Sequence, residues 1–399
     1  MKQFVATVME AYREKTLGYA LRRRLYPLAM FPWLAVSQAR QDIVLHCPAY
    51  DRDCGKDPRR TEVARRIFAA YGRMRDAEPG VSPCYRPSSI WRAQLDDAYA
   101  SLIEGLRDGD LEKFHFFLAN FGVWEKYHGV ENNLLIREAT ASRIKACYLK
   151  HKFLRALKIW KWFYGGRRDV AALTYPRVGN QAGALLHGRF VGYGSFFNEI
   201  YGSILSGLLA GTPSPVVAEI GAGYGKLAYF VLRDLPGATF VDFDLPETLC
   251  LAAYYLMNVW PEKKVLLYGE EDFDADCLSR YDLIFMPPQE IGKLGRDTVD
   301  LFLNKNSLGE MTAESVVNYV GRISEATRFF FHMNHDVYPR PMAGGRGLLG
   351  HEYPVPADRF RLLFRYPDMG HLLMEGYLEM RNDIFCYLYE KRADAKPGM

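Results

Sequence analysis

Two acids flanking a run of alternating glycines are the residues of this chain best placed to hold a charged small ligand. They stand in Glu219-Ile-Gly221-Ala-Gly223-Tyr-Gly225, followed by Asp244 at the end of the next apolar run. Glycines let the backbone turn sharply and approach a ligand where a Cβ would clash. A dinucleotide turn has the spacing G-x-G-x-x-G and presents a helix N-terminus to a pyrophosphate. Here the spacing is G-x-G-x-G, and an acid at 219 would repel a pyrophosphate. It suits a ligand with a cationic centre and an ammonium group. A carboxylate closing the following strand can take the hydroxyls of a ribose. Asp242 competes for that role, since it shares a strand face with Asp244. Asp244 is preferred because it ends the strand.

Such acids need a rigid frame, and the surrounding sequence supplies one. Val216 to Ile220 reads as a buried strand, Leu227 to Leu232 takes helical spacing, and Ala238 to Phe243 is a second strand. Pro246 can open the next helix, where its missing N–H costs nothing. Val265 to Tyr268 reads as a third strand, with Phe329 to Met333 and Ile384 to Tyr389 as later ones. Strands alternating with helices imply an α/β fold with a doubly wound, mostly parallel, Rossmann-like sheet. Residues 1–209 read as a large helical region and 210–399 as the sheet domain. Within the first, Met1 to Lys15 forms a short helix that mixes charges, unlike a secretory signal. Ile90 to Leu106 is one helix, Asp110 caps the next, and Arg143 to Tyr164 is a long helix stopped by Gly165-Gly166. Phe196 to Leu209 leads into the first strand.

Glu219 to Gly225, with Phe243-Asp-Leu-Pro-Glu-Thr-Leu249, resembles the first motif and the Asp-Leu-Pro element of class I S-adenosylmethionine-dependent methyltransferases, including small-molecule O-methyltransferases. The resemblance implies the cofactor S-adenosyl-L-methionine. It places Gly221, Gly223 and Gly225 beneath the methionine part, Glu219 near the amino group, and Asp244 with Leu245 at the ribose. Asp272 and Phe273, after the third strand, fall at the adenine. The element from Asp300 to Met311, the stretch Val316 to Val320, Pro87 to Trp91, Asn180 to Tyr201 and Tyr254 to Leu256 resemble the sugar O-methyltransferases. The likeness covers about residues 85 to 390 and does not extend to Gly344–Gly347 or Arg365–Asp368. It implies methyl transfer to a hydroxyl of a sugar or glycosylated small molecule.

Transfer to oxygen requires alignment of two atoms and removal of the hydroxyl proton. His335, past an apolar strand, is the leading base, with Asp336 or another carboxylate to orient it. His332, inside the strand pattern, reads as a satisfied core histidine. Glu310 is the other candidate base. Asn304 and Ser307 can bind sugar hydroxyls, although Ser307 and Glu310 also have capping-box spacing. Arg189 and Arg177 suit an anionic group on the acceptor. Tyr193 precedes the first strand, where the family closes over its cofactor. The carboxylates form no recognisable metal set.

Composition bounds the partners. The chain has 399 residues, 49% hydrophobic and 25% charged, as in an ordinary globular protein. Its net charge of +4 hides a basic first half and an acidic second half: Lys+Arg exceed Asp+Glu over 1–200 and fall short over 201–399. A basic surface can meet nucleic acid, a phosphorylated acceptor or an anionic membrane, or pack on the acidic half. Met286-Pro-Pro-Gln289 is not the Asn/Asp-Pro-Pro-Tyr motif of base-flipping methyltransferases, which counts against nucleic acid. Leu25 to Val36 is apolar, too short to span a bilayer, and interrupted by two prolines. It reads as a packed arm, with weak peripheral membrane contact as the alternative. Seven scattered cysteines without zinc spacing suggest reduced thiols in the cytoplasm. A homo-oligomer stays open. So do a natural-product or nucleic-acid acceptor, and a non-catalytic binding protein on the same fold.

Overall fold

The computed structural model describes residues 17–38, 41–124, 133–368 and 383–393. The helix expected over Met1–Lys15 lies outside them. Helix α1 (Leu17–Gln38) runs through both prolines. The packed arm expected at 25–36 is therefore a helix, and only part of it packs: Leu34 is buried, while Leu25, Leu28, Trp33 and Val36 are exposed. After β1 (Ile43–His46) comes α2 (Pro58–Ala77). The Asp57 carboxylate caps α2 by accepting from the Arg59 and Arg60 amides, with Pro58 in the first turn. The single helix expected at 90–106 is two, α3 (Ser89–Asp97) and α4 (Ala100–Arg107). The break is at Tyr99, whose backbone leaves the helical region to bury its ring beside Trp91 and Phe117. Helix α5 (Leu111–Ala119) is capped by Asp110 as expected.

Two further helices follow, α6 (Asn133–Thr140) and α7 (Arg143–Phe163). The second stops where Gly165 and Gly166 adopt positive φ and the Gly166 amide closes on the Lys161 carbonyl. The first half is not wholly helical. Strands β2 (Gly183–Leu186) and β3 (Arg189–Val191) join β1 in a small antiparallel sheet. Strands of three or four residues are too short to show a period-two pattern. Helix α8 (Ser195–Leu209) then leads to the main sheet.

That sheet is built from β4 (Val216–Ile220), α9 (Lys226–Asp234), β5 (Thr239–Phe243), α10 (Pro246–Val259), β6 (Val265–Leu267), α11 (Cys277–Arg280), β7 (Leu283–Met286), β8 (Val299–Lys305), α12 (Ala313–Ala326) and β9 (Thr327–His335). The hairpin β10 (Pro341–Met342) and β11 (Gly345–Arg346) follows, then β12 (Phe360–Pro367) and β13 (Ile384–Lys391). The strand order is β12-β13-β9-β8-β4-β5-β7-β6. Neighbours from β9 to β6 are parallel, and β13 lies antiparallel between β9 and β12. This is the doubly wound, mostly parallel, Rossmann-like sheet expected. The third strand of the sequence reading is its edge. Leu283–Met286, not assigned as a strand from sequence, sits between it and β5.

From β4 the chain passes to β5 on one side, while β8 returns on the other, so Ile220 is flanked by Phe243 and Asn304. A crevice opens at such a reversal, beyond the carboxyl ends of the strands. One core runs from Tyr71, Phe114, Phe117 and Phe121 of the first half into Phe230, Tyr254 and Phe331 of the second. Each such ring contributes roughly 1.5–3 kcal/mol by burial. The opposite face packs Ile220, Phe243 and Phe302 on Val316, Val320 and Ile323 of α12. A third cluster joins the small sheet to α7 and α8. The turn at 209/210 thus separates the elements of the two proposed domains, while their side chains share one core.

Candidate functional site

At the end of β4 the backbone turns through Gly221, Gly223 and Gly225, with φ of +77°, +63° and +84°. These are left-handed values that favour glycine. A Cβ on Gly221 would also lie 2.4 Å from the Ser307 hydroxyl oxygen, and one on Gly225 3.1 Å from the Leu256 side chain. The turn therefore needs glycine for its conformation and for its close neighbours. Gly225 precedes α9, and Lys226 in its first turn is buried with its ammonium 4.0 Å from the Tyr175 ring centroid.

Three buried carboxylates surround this turn. Glu219 pairs in register with Asp242 across β4 and β5, and Asp244 lies one residue beyond β5. Asp244 accepts from the Leu245 amide at 2.7 Å and the Gly223 amide at 3.4 Å, which ties the turn to the second strand. One oxygen of Glu219 and both of Asp242 have no hydrogen-bond partner among the described residues. Burial pushes Glu219 up to about 8, opposed by Lys305 and helped by Asp244. Burial also raises Asp242 and Asp244, and Asp242 feels both Asp244 and Glu219. A site that keeps carboxylates this dry, with oxygens left over, is suited to a cation that brings its own N–H donors.

A carboxyl raised on folding binds its proton more tightly in the folded chain. Its contribution is complete below the unfolded value and is lost as pH rises through the folded one. For Glu219 that window runs from its ordinary 4.5 to about 8. The melting temperature of the ligand-free protein should fall across this window, and Glu219→Gln should fall less. Calorimetry from about pH 5 to about pH 9 checks this. An identical decline in the variant would show that Glu219 does not carry the proton.

Asn304, Ser307 and Asn334 lock the neighbouring strand ends. Asn304 Nδ2 and Ser307 Oγ both donate to the Ile220 carbonyl, at 2.9 and 2.8 Å. Asn334 Nδ2 donates to Asn304 Oδ1 at 2.8 Å, and the Gly309 amide donates to Asn334 Oδ1 at 3.0 Å. The polar atoms of Asn304 are thus engaged in fixing the glycine turn and the 307–310 loop. The capping box open to Ser307 and Glu310 is not made: Ser307 gives no cap to the turn Leu308–Glu310, and Glu310 instead accepts from Trp91 Nε1 at 3.0 Å.

His335 is the last residue of β9. Its Nδ1 meets Asp383 Oδ2 at 2.5 Å, and Arg340 Nε donates to its Nε2 at 3.0 Å. With Nε2 accepting, the ring proton sits on Nδ1 and points at Asp383. Burial pushes Asp383 up, but the Tyr338 and Val337 amides and the His335 ring outweigh it and hold the carboxyl below its usual range. Arg340 also reaches to 4.0 Å from Glu310. Both candidate bases, His335 and Glu310, therefore face one guanidinium.

Of the two options open from sequence, Asp336 or another carboxylate, Asp336 does not orient His335. Neighbours on a strand end point apart. Asp336 is buried and accepts from the His351 amide, Tyr387 Oη at 2.8 Å and Arg365. Burial raises its carboxyl, but these donors prevail and leave it lowered. The other carboxylate is Asp383, next to Ile384, which registers with His335. An antiparallel pairing across 48 residues leaves no local sequence signal. Arg340 and Lys305 were missed too; Lys305 donates to Asn198 at 2.9 Å and acts electrostatically on Glu219.

His332 is a core histidine but not a satisfied one. It stacks on Tyr387 with centroids 4.6 Å apart, and neither ring nitrogen has a partner among the described residues. Burial pushes it down to about 3, so it stays neutral. Leu245 is half-buried after Asp244. Phe273 is buried against Phe243 of β5, with ring centroids 6.1 Å apart, whereas Asp272 is exposed after the edge strand. Arg189, Arg177 and Tyr193 belong to the small sheet and its neighbours. Arg189 is exposed, Arg177 contacts His46 and Phe190, and Tyr193 packs on Phe153 and accepts from Lys152. None of the described contacts joins Arg189 or Arg177 to the strand-end loops.

No protein-family model matches the chain, and no curated protein matches it significantly. Solved structures do overlap part of it. The mitomycin 7-O-methyltransferase MmcR is 15% identical, with a TM-score of 0.32 over 49% of this chain and 57% of its own. The pyocyanin biosynthetic protein PhzM is 12% identical, with a TM-score of 0.33 over 50% and 56%. Magnesium protoporphyrin IX methyltransferase from Synechocystis, with bound S-adenosylhomocysteine, is 13% identical, with a TM-score of 0.32 over 49% and 83%. The chain spans little more than half the length of the first two.

Proposed function

We propose that the chain is an S-adenosylmethionine-dependent O-methyltransferase acting on a hydroxyl of a sugar or glycosylated small molecule. One observation carries the cofactor: buried carboxyl oxygens of Glu219 and Asp242 without partners, beside a turn that only glycine fits. The cofactor has a sulfonium, an ammonium and a ribose diol, and the acids answer each in kind. Glu219 would hold the ammonium end, Gly221, Gly223 and Gly225 would pass beneath it, and Asp244 with Leu245 would take the ribose. Phe273 offers an apolar wall for the adenine and Asp272 a polar edge. When bound, S-adenosylmethionine supplies an electrophilic methyl group.

The chain's own part is positioning and proton removal. His335 Nε2 takes the acceptor hydroxyl proton, while Asp383 keeps the ring's other nitrogen protonated and steadies the imidazolium. Arg340 must release Nε2 for this and has Glu310 as its alternative partner. Trp91 donates its indole N–H to Glu310, which shares Arg340 with the histidine, and an indole beside a carboxylate suits a sugar ring and its hydroxyls. The Asp300–Met311 resemblance supports the saccharide reading.

Isothermal titration with S-adenosylhomocysteine tests the cofactor. A dissociation constant in the micromolar range is expected, on the order of −8 kcal/mol. No heat from folded wild-type protein would sink the assignment. Transfer of a labelled methyl group to a panel of glycosides then tests the acceptor class.

A further inference from the structure

Helices α1 and α7 form a surface that the methyl-transfer reading does not use. Gln38 Nε2 donates to the Cys147 carbonyl at 2.8 Å, and the Trp33 and His151 rings meet edge to face. The C-terminal part of α1 therefore lies against the N-terminal part of α7, and the helices run antiparallel. At about 1.5 Å per residue, Leu25 comes alongside the last turns of α7.

Soluble helices hide their apolar stripe. In α1 the stripe Leu25, Leu28, Ala29, Pro32, Trp33 and Val36 repeats at helical spacing and is exposed. Trp33 is 60% exposed and Val36 77%. At the end of α7, Trp162 is 80% exposed, with Phe163 beside it. The charge is equally one-sided. Arg22, Arg23 and Arg24 lie in α1; Arg143, Lys145, Lys150, Lys152, Arg155, Lys158 and Lys161 lie in α7. Neither helix contains an acid. Arg143, Lys158 and Lys161 are exposed.

We propose that this helix pair docks the protein on an anionic lipid bilayer surface. Indole, leucine and valine side chains enter the boundary between headgroups and acyl chains, and the exposed Arg143, Lys158 and Lys161 pair with anionic headgroups. Charge complementarity selects this occupant. A second copy would bring the same positive face against itself, which is repulsive. Nucleic acid would satisfy the charge but leave the aliphatic stripe in water. Among the described residues no helix is long and apolar enough to cross a membrane, so the pair lies on the surface.

The experiment is vesicle flotation of the full chain with phosphatidylcholine alone and with about 30% phosphatidylglycerol. Binding at least about tenfold tighter to the anionic vesicles is expected, weakened by added salt. The double variant Trp33→Ser, Trp162→Ser and the double variant Lys158→Glu, Lys161→Glu should each lose about tenfold. These four side chains are exposed, and circular dichroism confirms that the variants remain folded. No preference for anionic vesicles, or wild-type partition in both variants, overturns the proposal. Tighter binding to a single-stranded RNA, unchanged by the tryptophan variant, overturns it in favour of nucleic acid. A concentration-dependent dimer abolished by the tryptophan variant, without vesicle binding, overturns it in favour of self-association.

Discussion

Gly221→Val should reduce affinity for S-adenosylhomocysteine by more than about 10²-fold. Two costs coincide at this position. The φ of +77° is a region that β-branched residues avoid. The new side chain would also begin 2.4 Å from Ser307 Oγ, which is fixed by its bond to the Ile220 carbonyl. The turn must move to relieve both, and it cannot move without disturbing the Asp244 to Gly223 link. Glycines alone do not predict such a loss. Gly237, at an exposed turn with open space around its missing Cβ, should accept alanine with unchanged binding. Titration of both variants separates the cases, with a melting curve to confirm that Gly221→Val is still folded. Wild-type affinity in a folded Gly221→Val protein would mean that no ligand passes close to this turn.

The glycine turn was legible in sequence because its chemistry is local. Strand, turn, helix and second acid follow one another within 26 residues, from Glu219 to Asp244, and every constraint acts between near neighbours. The sheet class was legible for the same reason. What failed was whatever depends on distant pairing. The insertion of β7 between β5 and the edge is a tertiary choice among short apolar runs. Adjacency in sequence offers Asp336 or another carboxylate to His335 and does not choose between them. The actual partner, Asp383, arrives through the antiparallel β9–β13 pairing. Arg189 precedes β4 in sequence, yet it opens β3 of a small sheet too short to announce itself, and Tyr193 follows just past that strand. The exposed stripe of α1 was visible as an apolar run, but only the fold shows which way it faces.

His335→Ala should lower turnover by about 10²–10⁴, the range for loss of a general base, while leaving S-adenosylhomocysteine affinity within about threefold. The separation is expected because His335 ends β9, two strands from β4, and makes no described contact with the three acids. The role of its partner gives a sharper test. If Asp383 only braces the 336–338 turn through the Val337 and Tyr338 amides, Asp383→Asn should cost stability alone. If it also sets the tautomer, Asp383→Asn should lower turnover as well, because the ring loses the carboxylate that holds its proton on Nδ1. Arg340→Gln should act in the opposite sense on turnover, since it frees the Nε2 lone pair that Arg340 engages. Equal turnover in His335→Ala would exclude it as the base and transfer the role to Glu310, the other group facing Arg340.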